Sequence, residues 1–255
     1  MAFDINLTRK FSHLGAAPIV EAVVQWQARA THPWEAESLR QALADALPGF
    51  PKAELQHRFE ITAVVPLGND VAPSASRHET WNGVRLESAD GLCIAKFTGD
   101  GLVFSRLRPY EDWERFTDAA RQSWRAFVKL GAPTEIQRLG VRFINRIEGV
   151  GFGNAADYLK EPPTFSADLA LSGFFYQSTF DVPGNDLAIN VVKTIQPAIP
   201  GQAKEPGLII DIDVFTKKPL PCDDSAIDEL LPKMRWLKNM VFFELLTPKS
   251  IERFK

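Results

Sequence analysis

The chain has 255 residues, of which 45% are hydrophobic, 24% charged and 11% aromatic. That is the composition of an ordinary globular protein, and it excludes a disordered, collagen-like or membrane-spanning one. Its 29 Lys and Arg against 32 Asp and Glu leave a net charge of -3, so no global positive field draws it to nucleic acid. Two cysteines, Cys93 and Cys222, are too few for a disulfide framework and stand at no metal-ligand spacing, which predicts reduced thiols. The opening MAFDINLTRKFSHLGAAP is charged throughout and lacks an apolar run of seven. It predicts neither a secretory leader nor an anchor, and hence a cytoplasmic protein.

In chain order, Pro18 to Ala28 alternates, with Val20, Ala22, Val24 and Trp26 on one face, and predicts a half-buried strand. Trp34 to Leu47 carries Leu39, Ala42, Leu43 and Leu47 at helical spacing and is closed by Pro48 and Gly49, so a helix follows. Leu55 to Val65, Val84 to Ser88, Leu92 to Thr98 and Leu102 to Leu107 predict an antiparallel meander, its last turns marked by Ala89-Asp90-Gly91 and Gly99-Asp100-Gly101. Glu111 to Leu130, with Trp113, Phe116, Ala120, Trp124 and Phe127 at intervals of three and four and Gly131 behind them, predicts a long helix.

The pattern then starts again. Ile136 to Ile147, Gly173 to Val182, Leu187 to Ile195 and Leu208 to Phe215 predict strands, Ala155 to Lys160 a short helical segment, and Ser225 to Leu246 a long helix kinked or divided at Pro232. Pro66 to Thr80 and Gln196 to Gly207 read as surface loops. The expectation is an α+β protein with one largely antiparallel sheet, two long helices on one side, and two related halves, 1–132 and 133–255, folded as one unit. This order of elements resembles the fold of the TATA-box-binding protein, in which two copies of strand, helix, meander and helix join into one curved sheet. Two ferredoxin-like modules, or a sheet gripping the last helix, are the alternatives. Element order transfers no function.

Ala17 to Ala22 (APIVEA), Phe104 to Phe116 (FSRLRPYEDWERF), Arg138 to Ile147 (RLGVRFINRI), Gly207 to Phe215 (GLIIDIDVF) and Trp236 to Phe254 (WLKNMVFFELLTPKSIERF) together resemble a sporadically distributed family of bacterial proteins of about 250 residues. The resemblance spans nearly the whole chain and implies one co-evolved unit. The family has no assigned biochemical function, so the resemblance implies no substrate, cofactor or catalytic residue. Its sporadic distribution is compatible with a role in defence or in a toxin-antitoxin pair.

Asp211 and Asp213, two apart on a strand, place both carboxylates on one face, where they suit a hard cation such as Mg2+ or an acid-base pair. The competing and favoured expectation is a salt-bridged ladder with Arg142 and Arg146 on the strand from Ile136. Lys96 to Arg146 holds ten basic residues against six acidic ones, net +4, which leaves -7 for the rest of the chain. This suggests either a patch for nucleic acid or, as the favoured reading, an interleaved helix face whose charges pair locally. Arg106, Arg108 and Tyr110 around Pro109 form a candidate anion site. Gly149 to Gly153 lacks dinucleotide spacing, and the four histidines, His13, His32, His57 and His78, stand in no catalytic or zinc pattern.

Ser225 to Leu246 carries one apolar stripe, Ile227, Leu230, Met234, Leu237, Val241 and Leu245, and a second of Trp236, Met240 and Phe243. The second predicts either burial on two sides or a homodimer contact. The leading expectation for function is binding without catalysis, of a partner protein or small ligand, through the open sheet face (Glu21, Arg58, Glu60, Arg142, Arg146, Asp211, Asp213) or the groove between the halves. The alternatives are nucleic-acid binding by residues 96–146 and a metal-dependent hydrolase around Asp211 and Asp213. No cofactor and no resident metal are expected.

Overall fold

A computed structural model describes residues 2–64, 74–163, 169, 171–198 and 205–255, with the side chains of 61–64 and 74–78 outside the description. Among the described residues nine strands make one antiparallel sheet: β1 (Ile19–Gln27), β2 (Lys52–Val64), β3 (Ser74–Glu87), β4 (Cys93–Thr98), β5 (Gly101–Leu107), β6 (Arg138–Glu148), β7 (Phe175–Val182), β8 (Leu187–Gln196) and β9 (Gly207–Thr216). Their order across the sheet is β2-β3-β4-β5-β1-β6-β9-β8-β7. The first strand of each sequence half therefore lies at the centre, β1 against β6, with Val23 opposite Arg142. Among the described residues no helix is long and apolar enough to cross a membrane.

Strand alternation decides which face is dry. Ala22, Val24 and Trp26 of β1, Leu139, Val141 and Phe143 of β6, and Leu208, Ile210, Ile212 and Val214 of β9 are buried on the same side. Three helices cover that side: α1 (Ala36–Ala46) lies under β2 and β3, α2 (Trp113–Gly131) under β5 and β1, and α3 (Asp224–Leu245) under β9 and β6. The indoles of Trp26 and Trp124 stack at 5.3 Å and 9° and fix α2 to β1. Asp112 opens α2 by accepting from the Arg115 amide, and Asp223 opens α3 by accepting from that of Ala226.

Several expectations need correcting. The loop placed at Pro66 to Thr80 is strand from Ser74 onward, because β3 pairs with β2 over its full length; residues 66–73 lie outside the description, as do 199–204 of the second loop. Gly131 does not cap α2. It is the last helical residue, its missing Cβ leaving room for Trp34 at 2.9 Å, and Ala132 takes the left-handed position at φ 43°. Ala155 to Lys160 shortens to one 3-10 turn, Ala155–Asp157. Helix α3 runs through Pro232 without dividing, and its buried residues are Ile227, Leu231, Met234, Trp236, Leu237 and Phe242, so the core stripe differs from the predicted one at Leu230, Val241 and Leu245.

Candidate functional site

The face opposite the helices carries most of the residues singled out by their strand pattern. Asp211 and Asp213 do share it, and each is held by an arginine of β6. Arg142 grips Asp211 with two nitrogens, its Nε lying 2.8 Å and 3.1 Å from the two carboxylate oxygens. Arg138 reaches Asp213 at 2.6 Å, donates to the Gln25 side chain at 3.2 Å, and lies 4.5 Å over the Phe215 ring. Gly140 between them makes the second pair possible, since a Cβ there would meet the Arg138 guanidinium at 2.7 Å.

The predicted ladder is thus corrected in its second rung. Arg146 turns away to Gln196, Glu148 and the Glu205 carbonyl, over a Gly207 whose missing Cβ leaves the room. Arg138 takes the place expected for it. Burial outweighs the Arg138 contact at Asp213 and raises its carboxyl above the ordinary range. With guanidinium groups on both aspartates, their oxygens are already neutralised. Among the described residues no three His, Cys, Asp or Glu side chains gather to hold a cation.

Glu21 also faces this side, between Leu107 and Ile144 on the neighbouring strands. Arg58 and Glu60 do not join the central group: they sit on the edge strand β2, paired with one another at 3.6 Å and mostly exposed. Beside the ion pairs runs apolar surface. Leu107, Ile144 and Ile209, all partly exposed, line a hollow of about 750 Å³ with Val20 and Leu92, rimmed by Arg108 and Arg146.

Most cations of the basic segment are held in ion pairs. Arg106, Arg108, Arg115, Arg121, Arg125, Arg138, Arg142 and Arg146 each meet a carboxylate within 4.0 Å, several of them acids from outside the segment, such as Asp224 and Asp228. Among the described residues eight of the ten cations of this segment are thus matched with an acid, and Lys96 and Lys129 stand outside these pairs. The candidate anion site disperses for the same reason. Arg106 is held by Asp90 and Glu111, Arg108 by Glu148, and Tyr110 packs edge-on against Phe143 at 5.4 Å.

On the helix side, α2 and α3 run antiparallel and are joined by ion pairs: Arg235 with Glu114 at 2.8 Å, Arg125 with Asp224 at 3.0 Å, and Arg121 with Asp228. Between them and the N-terminal segment opens a cleft of about 1730 Å³. Leu7 and residues 9–18 form one of its walls, and Phe3 and Phe11 of the same segment cover the second apolar stripe of α3. Phe3 and Phe11 set their rings 6.2 Å and 5.9 Å from Trp236, and Phe11 stacks on Phe243 at 5.5 Å. Trp236 is 7% exposed and Met240 and Phe243 partly buried. The chain thus covers part of the stripe that suggested a homodimer contact, with Trp236 buried and Met240 and Phe243 left partly exposed.

Sequence reasoning passed over Lys238, which lines the cleft with its Nζ 3.8 Å over the Phe143 ring. Its amine is pushed down to about 7 by loss of water and by the neighbouring Arg235. A signal was present: Ile227, Leu231 and Met234 continue at helical spacing to Lys238 and then Phe242, a charge on a core stripe. Comparison with protein-family models and with curated proteins gives no match for this chain.

Proposed function

We propose that this is a protein-binding module whose docking surface is the open face of the nine-stranded sheet. The observation that supports it most is that all three long helices pack on one face, leaving the other with partly exposed Val23, Leu107, Ile144 and Ile209 around fixed Arg-Asp pairs. Rigid ion pairs give orientation and apolar patches give area, the division of labour in ordinary protein interfaces. Charges of both signs alternate across the face, with Glu21, Asp211 and Asp213 beside Arg138, Arg142 and Arg146. Such balance favours a protein partner of mixed charge over a polyphosphate backbone.

We also read the halves as a duplication and the chain as a member of the bacterial family that its sequence resembles. The outward order β5-β4-β3-β2 on one side and β9-β8-β7 on the other supports the first. Neither reading names a partner.

Affinity capture from the native host, with partners identified by mass spectrometry, tests the docking surface. Three baits are needed: the wild type, the face variant Val23→Lys with Ile144→Lys, and a helix-side control, Gln122→Lys. A partner held by the wild type and the control but lost by a folded face variant is the expected outcome. A partner that survives the face changes and is lost with the control contradicts the proposal.

A further inference from the structure

We propose that the cleft between α2 and α3 is a second site, independent of the sheet face, which binds a small aromatic carboxylate with Lys238 as its counter-charge. Four observations carry it. The cleft, at about 1730 Å³, has ample room for a small molecule. Its wall is aromatic, lined by Tyr110 and Trp113, and the buried ring of Phe143 backs Trp113 nearly parallel, 24° apart at 6.3 Å.

Two cations of α3, one turn apart, stand over these rings: Arg235 at 5.4 Å from Trp113 and Lys238 at 3.8 Å from Phe143. Only one of them has an acid. Arg235 is matched by Glu114, whereas Lys238 has neither carboxylate nor hydrogen-bond acceptor among the described residues. A cation drawn from water onto an apolar floor without an anion is costly, and a carboxylate entering the cleft removes that cost. Burial pushes the phenol of Tyr110 above its ordinary range as well, so it remains a neutral donor at this wall. A flat ring on the carboxylate would find Tyr110 and Trp113 to stack upon.

The test is calorimetric titration of the full chain with naphthoate, acetate and naphthalenemethanol, which separate ring from charge. Naphthoate should bind saturably and better than either of the others. Lys238→Met should weaken it by about tenfold or more, the loss expected for one charge-assisted contact. Lys233→Met, which removes an amine paired with Glu229 elsewhere on the helix, should leave binding unchanged. Lys238→Met takes away an unpaired charge of similar length and is expected to fold; Lys238→Gln serves as a second variant, and a thermal melt checks both. Equal affinity in wild type and a folded Lys238 variant, equal binding of naphthalenemethanol, or no saturable binding of naphthoate would overturn the proposal.

Discussion

Asp211 and Asp213 look alike in the sequence and sit differently in the fold. Asp211 receives two guanidinium nitrogens of Arg142, so Asp211→Asn should cost about 1.5 to 3 kcal/mol, the worth of hydrogen bonds to a charged group. For Asp213 the folded carboxyl lies above its ordinary 3.8 because burial is the largest influence. Just above that pH the folded chain holds more protons than the unfolded one, so stability falls as pH rises through the window. Asp213→Asn should accordingly change stability by less than about 1 kcal/mol at neutral pH. Urea unfolding of the two variants checks the ordering, and an equal loss in both would show that burial does not separate them. Lys238 runs the other way. Between its folded value of about 7 and its ordinary 10.5 the folded chain holds fewer protons than the unfolded one, so this group's contribution rises with pH there and its cost is fully present below 7. The groups on the same cleft walls include Arg235, tied to Glu114, together with His13, Tyr110 and Glu148. Lys238→Met should raise stability below pH 7 by about 1 to 3 kcal/mol, and thermal melts across this range should show a flatter profile than the wild type.

Helix α3 is broad in its apolar surface because it serves two neighbours, the sheet and the N-terminal segment. Phe11, stacked on Phe243 and edge-on to Trp236, is the pin of that segment. Phe11→Ala should cost about 2 kcal/mol, less than a fully buried phenylalanine because its site is partly open. It should also hasten proteolytic cleavage within residues 7–18; an unchanged cleavage rate would show that the segment is held elsewhere. How much of this was legible follows from periodicity. The central strands β1, β6 and β9 and the helix α2 announce themselves because one face of each must be apolar. The first part of β3, SASRHE, does not: it pairs only with the edge strand β2 and shows no apolar alternation. The cover on Trp236 was illegible for another reason. A segment without regular structure carries no period, and its partners lie more than 200 residues along the chain.

At the scale of the whole molecule, one sheet spans both sequence halves while all three long helices stand on the same side. The ion pairs of the free face were half visible, since alternation put Asp211, Asp213 and Arg142 together, but which arginine takes Asp213 depended on Gly140 and on register. The asymmetry of cover, a dry face and an open one, is what the docking proposal rests on. It is tested most directly by photocrosslinking in the native host, with a photoreactive residue placed either at Gln25, on the open face, or at Gln122, on the outer side of α2. The account predicts a discrete adduct from the Gln25 position and none from Gln122. Adducts from Gln122 alone, or from neither position, would contradict it.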